Sequence, residues 1–324
     1  MDRNFPPPLI VLSPPRSFSS VVSTMLGEHP EMYGFPELHM FGGDTVREVL
    51  DNETRQSAGQ NYAGPPGLIR ALAQLHDGVQ TTGTIIRAIA WLRERTDWSS
   101  KQLLDYLFTL VAPAVAMEKS PPTSSRYQRL ERVHAYYPDA FYLHLTRHPI
   151  PNRSSLQEFQ HNKRERQGAA DEDPRTDHFL TWYLFHANII QFTSSLPSGQ
   201  VMRVKGEDIL SEPDAYLPQI AEWMGLRTDR DAIEAMKHPE NSPYASVGPR
   251  PASGGNDPKF MRSPKLRAGR VKEPSLEDFF AADPQVAWFG ESFRTSMEEH
   301  GVRPAEETEI REALSEMAAW MGYF

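Results

Sequence analysis

The chain has 324 residues, with 34 Lys and Arg against 43 Asp and Glu and a formal net charge of −9; the length suits one large α/β domain or two small ones, and the charge argues against nucleic acid or an anionic membrane surface as partner. It has no cysteine, which removes disulfides, thiolate metal sites and cysteine nucleophiles and fits a cytoplasmic enzyme. No stretch approaches the roughly 20 apolar residues of a membrane helix, and the first eight residues, three of them consecutive prolines, do not read as a signal peptide.

In chain order, residues 8–12 give the first expected strand, four of them apolar. A polar turn follows, Ser13-Pro14-Pro15-Arg16-Ser17-Phe18-Ser19-Ser20, and a helix begins at about residue 21. A strand that enters a helix through such a turn makes an anion cradle: backbone N–H groups and the helix dipole favour negative charge, and Arg16 adds a full positive one. The turn lacks the Gly-Lys-Ser/Thr ending of a nucleotide-triphosphate loop. Residues 83–87 read as a weak strand, 103–111 as a helix, 115–119 as a strand, 126–137 as a helix and 141–146 as a strand. Helices are expected at 179–195, 214–224 and 230–236, and a strand at 201–204. Segments 163–177 and 240–272 are polar or rich in Pro, Gly and Ser and read as long loops. Two helices, 285–300 and 305–321, close the chain, the second preceded by Pro304. Alternating strands and helices predict an α/β fold with a mostly parallel central sheet flanked by helices and a helical C-terminal part. Ligands bind such sheets at the carboxyl ends of the strands, where the turn at 13–20 must lie.

A second strand-turn-helix transition carries Arg147 at the end of the strand at 141–146, Pro149 in the first helical turn and Ser155 eight residues after Arg147. A guanidinium fork and a hydroxyl on facing sides suit a phosphate; the plainer reading pairs Arg147 with a carboxylate.

Together the two motifs resemble those of sulfotransferases that use 3′-phosphoadenosine 5′-phosphosulfate, in the branch whose loop reads Pro-Arg-Ser. The 13–20 turn is similar to their 5′-phosphosulfate loop and the Arg147/Ser155 pair to their 3′-phosphate site. His29-Pro30, the segment Gly34-Phe35-Pro36-Glu37-Leu38-His39-Met40-Phe41, Glu118-Lys119-Ser120-Pro121, Glu207-Asp208 and Gly225-Leu226 follow in the family's order, so the likeness spans about residues 8–226. It is nearest to carbohydrate and polyketide-associated members. Phe18 stands where glycine is usual after Pro-Arg-Ser, and Gly206 where tyrosine usually precedes Glu-Asp.

The resemblance implies a P-loop-nucleotide-hydrolase-like fold in a single domain, with a donor-binding core at about 8–226 and an acceptor or lid region with C-terminal helices at about 227–324. It implies donor contacts from Pro15, Arg16, Ser17, Phe18, Ser19, Ser20, Arg147 and Ser155. Sulfuryl transfer, like phosphoryl transfer, is catalysed by positioning and charge stabilisation. On this resemblance Arg16 is expected to take up charge on the leaving phosphate, Lys119 is the candidate to hold the sulfuryl oxygens, and Glu37, or as second choice His39, is expected to take the acceptor's proton. In an extended segment Glu37 and His39 face the same way. For an isolated Glu, His or Lys the plain alternatives are a turn cap, a hydrogen-bonded core histidine and a surface charge. No metal is required, and the acceptor is a hydroxyl on a small metabolite, a sugar or a carrier-bound acyl chain. From residue 259 to 272 six basic residues (Lys259, Arg262, Lys265, Arg267, Arg270, Lys272) meet no acidic one. They are either a solvated loop or a flap whose Lys265 and Arg267 reach the donor. Two other functions stay open: a binding module that kept the nucleotide site without catalysis, and a nucleoside-phosphate kinase of similar architecture.

Overall fold

The central strand, β1 (Leu9–Leu12), is buried along its whole length. Ile10 and Leu12 enter one apolar cluster and Leu9 and Val11 another, so its period-2 alternation serves two cores on opposite faces of one sheet. The structure is a computed structural model that describes residues 4–56, 64–167, 178–267, 269, 273–282 and 307–323. After β1 the chain forms α1 (Ser19–Gly27), β2 (Met32–Gly34), α2 (Val46–Gln56), α3 (Pro66–Asp77), α4 (Thr82–Arg93), α5 (Ser100–Val111), β3 (Val115–Glu118), α6 (Tyr127–Tyr136) and β4 (Phe141–Thr146). It continues through α7 (Pro149–Gln167), α8 (His178–Thr193), β5 (Val201–Lys205), α9 (Gly206–Ser211), α10 (Pro213–Trp223), α11 (Arg230–Met236), α12 (Pro258–Arg262), α13 (Leu276–Ala282) and α14 (Glu307–Trp320).

The five strands pair in parallel in the order β2-β3-β1-β4-β5, with Leu9 opposite both Met117 and Phe141. β1 thus lies between strands that come later in the chain on either side. The loops leaving β1, β3 and β4 open at one sheet edge, at the switch point where parallel sheets hold ligands. The α/β reading and four of its strands stand. A third apolar cluster, with Ile150, Phe179, Trp182, Leu314 and Tyr323, seats α14 and the chain after it on α7 and α8.

Three expectations change. Residues 83–87 are helical: they lie in α4, where Thr81 accepts from the Thr84 N–H and the Thr84 side chain returns the bond. This capping box starts a helix, and Ile85, Ala88, Ile89 and Leu92 are buried at helical spacing while Ile86 is 57% exposed. β2 was not anticipated. It is three residues long, and a Cβ at Gly27 would lie 2.7 Å from the Gly34 Cα, so α1 sits directly against it. The loop expected at 163–177 begins later, because α7 runs to Gln167; residues 168–177, and the helix expected at 285–300, lie outside the described residues. Among the described residues no helix is long and apolar enough to cross a membrane.

Candidate active site

From β1 the chain passes buried Ser13 into a turn wound through two left-handed residues, Arg16 (φ 66°) and Phe18 (φ 60°). Side chains at positive φ cost of order 1–3 kcal/mol each, so the surrounding structure must hold them. The first turns of α7 and Arg147 just before them do so. Asn152 donates through Nδ2 to the Pro15 carbonyl (2.9 Å) and to Ser17 Oγ (3.1 Å), and an Arg147 terminal nitrogen donates to the Arg16 carbonyl (2.5 Å). Arg16 Nε in turn donates to Ser155 Oγ at 3.1 Å. The two motifs expected at opposite ends of one ligand are therefore joined by hydrogen bonds.

Beside them stands a second cluster. Lys119, at the end of β3 and 1% exposed, places Nζ 2.6 Å from Glu37 Oε1, 3.3 Å from Ser20 Oγ and 3.2 Å from Asn256 Oδ1. Glu37 Oε2 is 3.4 Å from His39 Nε2. Burial pushes the Glu37 carboxyl up, but the Lys119 ammonium and His39 outweigh it and hold the carboxyl at about 2. The segment is not extended as expected: His39 has φ 57°, and its N–H donates to Ser120 Oγ at 3.0 Å. Ser120 in turn donates to Glu118. Glu118 is wholly buried, which raises its carboxyl pKa. His39 meets Glu37 because the chain turns there.

Both clusters open on a cleft of about 720 Å³, within the usual range for small-molecule sites. Of the residues singled out from sequence, Pro15, Arg16, Phe18, Ser19, Ser20, Glu37, His39, Arg147, Ser155, Lys265 and Arg267 line it. Ser17 and Lys119 do not. Ser17 is fully buried on Asn152, and Lys119 lies behind Glu37. Arg147 is only partly provided for: burial lowers its guanidinium to about 10 with Glu207 opposing, and its Nε finds no hydrogen-bond partner among the described residues. A half-buried cation whose guanidinium lines a cleft suits an anionic ligand.

Sequence reasoning gave no role to Asn152, Asn256 or Asp257. Asp257 forms an ion pair with Arg16, and its N–H donates to Ser20 Oγ at 2.9 Å. It also starts α12, accepting from the N–H groups of Lys259 and Phe260. An Asp before a Pro is a helix-start signal, and it could have marked a fixed end in the supposed loop. The basic segment is also tied to α7, where Lys259 Nζ meets Glu158 at 2.6 Å. Arg270 and Lys272 lie outside the described residues. No cluster of three or more His, Asp or Glu suited to a metal occurs among the described residues.

A profile described as the sulfotransferase family matches residues 7–230. The chain belongs to the sulfotransferase family. Among solved structures, this sulfotransferase is similar to the sulfotransferase domain from the curacin biosynthetic pathway, at 20% identity and TM-score 0.63 over 92% of this chain and 99% of that one. It is also similar to the sulfotransferase domain of the Synechococcus PCC 7002 olefin synthase, at 22% identity and TM-score 0.64 over 94% and 98%. At these identities the likeness is one of fold. No curated protein matches the chain.

Proposed function

We propose that the chain transfers a sulfuryl group from 3′-phosphoadenosine 5′-phosphosulfate to a hydroxyl of a small metabolite, a sugar or a carrier-bound acyl chain. The observation that carries this reading is the joining of Arg16, Arg147 and Ser155 on the cleft that Glu37 also lines, with Lys119 paired behind it. Arg147 and Ser155 would take the 3′-phosphate. Arg16, Ser19, Ser20 and the loop N–H groups would take the 5′-phosphosulfate at the start of α1. Asp257 now neutralises Arg16 and gives way to the donor's anionic groups.

The acceptor oxygen attacks sulfur, the bond from sulfur to the bridging phosphate oxygen breaks, and adenosine 3′,5′-bisphosphate leaves. Glu37 takes the acceptor's proton. A carboxyl held at about 2 is a poor base. When Lys119 turns to the sulfuryl oxygens, Glu37 loses its counter-charge while staying largely buried, and its basicity rises when it is needed. His39, against the other carboxylate oxygen, orients Glu37 or serves as the base in its place. Incubating the chain with the donor and a panel of hydroxyl acceptors, and following release of adenosine 3′,5′-bisphosphate, tests the reading. Retention of the bisphosphate with no donor consumed would make the chain a binding module instead.

A further inference from the structure

Phe18, in the turn after β1, and Gly206, at the start of α9, touch each other. A Cβ at Gly206 would lie 2.7 Å from Phe18 Cδ2 and 3.3 Å from Phe18 Cβ. Gly206, the first residue of α9, has no positive φ that would call for glycine. What excludes a side chain there is the ring of Phe18. Phe18 gains nothing locally, since its φ of 60° is itself a conformation suited to glycine. One side of the ring packs on the apolar cluster that holds Val22, Leu145 and Ile209; it also covers Arg147, whose guanidinium carbon lies 4.2 Å from the ring centroid. This is cation–π distance. With one face on the ring and one terminal nitrogen on the Arg16 carbonyl, the guanidinium plane is fixed. Nε is left without a partner among the described residues.

We propose that Phe18 is a positioning residue for donor recognition: its ring, housed in the space Gly206 leaves, sets the plane of Arg147 and so the cleft's preference for a nucleotide bearing a 3′-phosphate. This rests on the reading of Arg147 and Ser155 given under the proposed function.

The test compares dissociation constants of the full chain for adenosine 3′,5′-bisphosphate and adenosine 5′-monophosphate. The wild-type chain should prefer the bisphosphate. A wild-type chain without that preference would overturn the 3′-phosphate reading and this inference with it. Phe18→Leu, which keeps bulk and loses the π face, should cut the preference about tenfold, with monophosphate affinity held within about twofold. Phe18→Tyr should retain the preference. If Phe18→Leu leaves the preference intact, or weakens both nucleotides alike, the function reading survives and this inference fails. Gly206→Tyr alone should lose bisphosphate affinity by steric conflict, and Phe18→Gly/Gly206→Tyr should recover it by supplying a ring from the other side of the same space. A double variant as weak as Gly206→Tyr would also count against the shared-space argument.

Discussion

Lys119 Nζ lies 2.6 Å from Glu37 Oε1, and it does so as an almost fully buried cation. A buried ammonium needs a partner, and Glu37 is the ionised group that supplies one. Lys119→Met is expected to lower kcat by at least about a hundredfold, the scale of losing one charge-stabilising donor. Affinity for adenosine 3′,5′-bisphosphate, which carries no sulfuryl group, should stay within about twofold of wild type. Steady-state kinetics and calorimetry check the split. A bisphosphate affinity that collapses with kcat would mean that Lys119 holds the loop rather than the transferring group.

The same pair sets a pH dependence. The Glu37 carboxyl is held at about 2 from an ordinary 4.5. The stability it contributes is therefore fully present above pH 4.5 and is lost as pH falls from there towards 2. Melting temperatures of the wild type and of Glu37→Gln, measured between pH 6 and 2.5, should converge at the acid end. Parallel curves would show that Glu37 is not depressed in the folded chain.

How much of this was legible in the sequence follows from the range of the forces involved. β1, β3 and β4 read clearly because short apolar runs are what a doubly covered parallel strand requires. β2 has three residues and no periodicity to detect. Residues 83–87 misled because two adjacent isoleucines suit a strand, whereas the capping exchange between Thr81 and Thr84 decides for helix. At the site, Arg16, Arg147 and Ser155 came from motif spacing. Asn256 is 137 positions from Lys119 and Asp257 is 237 from Ser20, and no local pattern predicts contacts that only the closed fold makes. Ser17 was named as a ligand group for its place in the loop, but its hydroxyl is buried on Asn152.

Arg70 ties down the segment at 243–254 that leads into α12. It is 1% exposed and donates to the carbonyls of Gly254 (3.0 Å), Ser246 (2.9 Å) and Pro243 (3.3 Å) and to Gln80 (2.6 Å). Arg70→Met leaves those carbonyls without their donor and should destabilise the chain by about 3 kcal/mol, on the scale of charge-assisted hydrogen bonds lost from a buried site. Donor affinity should fall as well, because the same segment leads into Lys265 and Arg267, which line the cleft. Denaturant unfolding and nucleotide titration measure the two effects, and unchanged stability would dismiss Arg70 as the anchor.

On the proposed reading, charge beside the cleft acts in two opposite senses. Lys265 and Arg267 line the cleft and attract an anionic donor, whereas Asp257 sits on Arg16 and must be displaced by one. Lys265→Ala/Arg267→Ala should weaken adenosine 3′,5′-bisphosphate binding by about tenfold at low salt, with a shallower salt dependence because two cations no longer contribute to a screened attraction. Asp257→Asn keeps the side-chain oxygen that starts α12 and removes the competing charge. It should tighten bisphosphate binding by about twofold to fivefold, the range of one partly exposed ion pair. Both are read from titrations at two ionic strengths. If the two variants shift affinity in the same direction, the flap supports the cleft by packing, and its charges do not select the ligand.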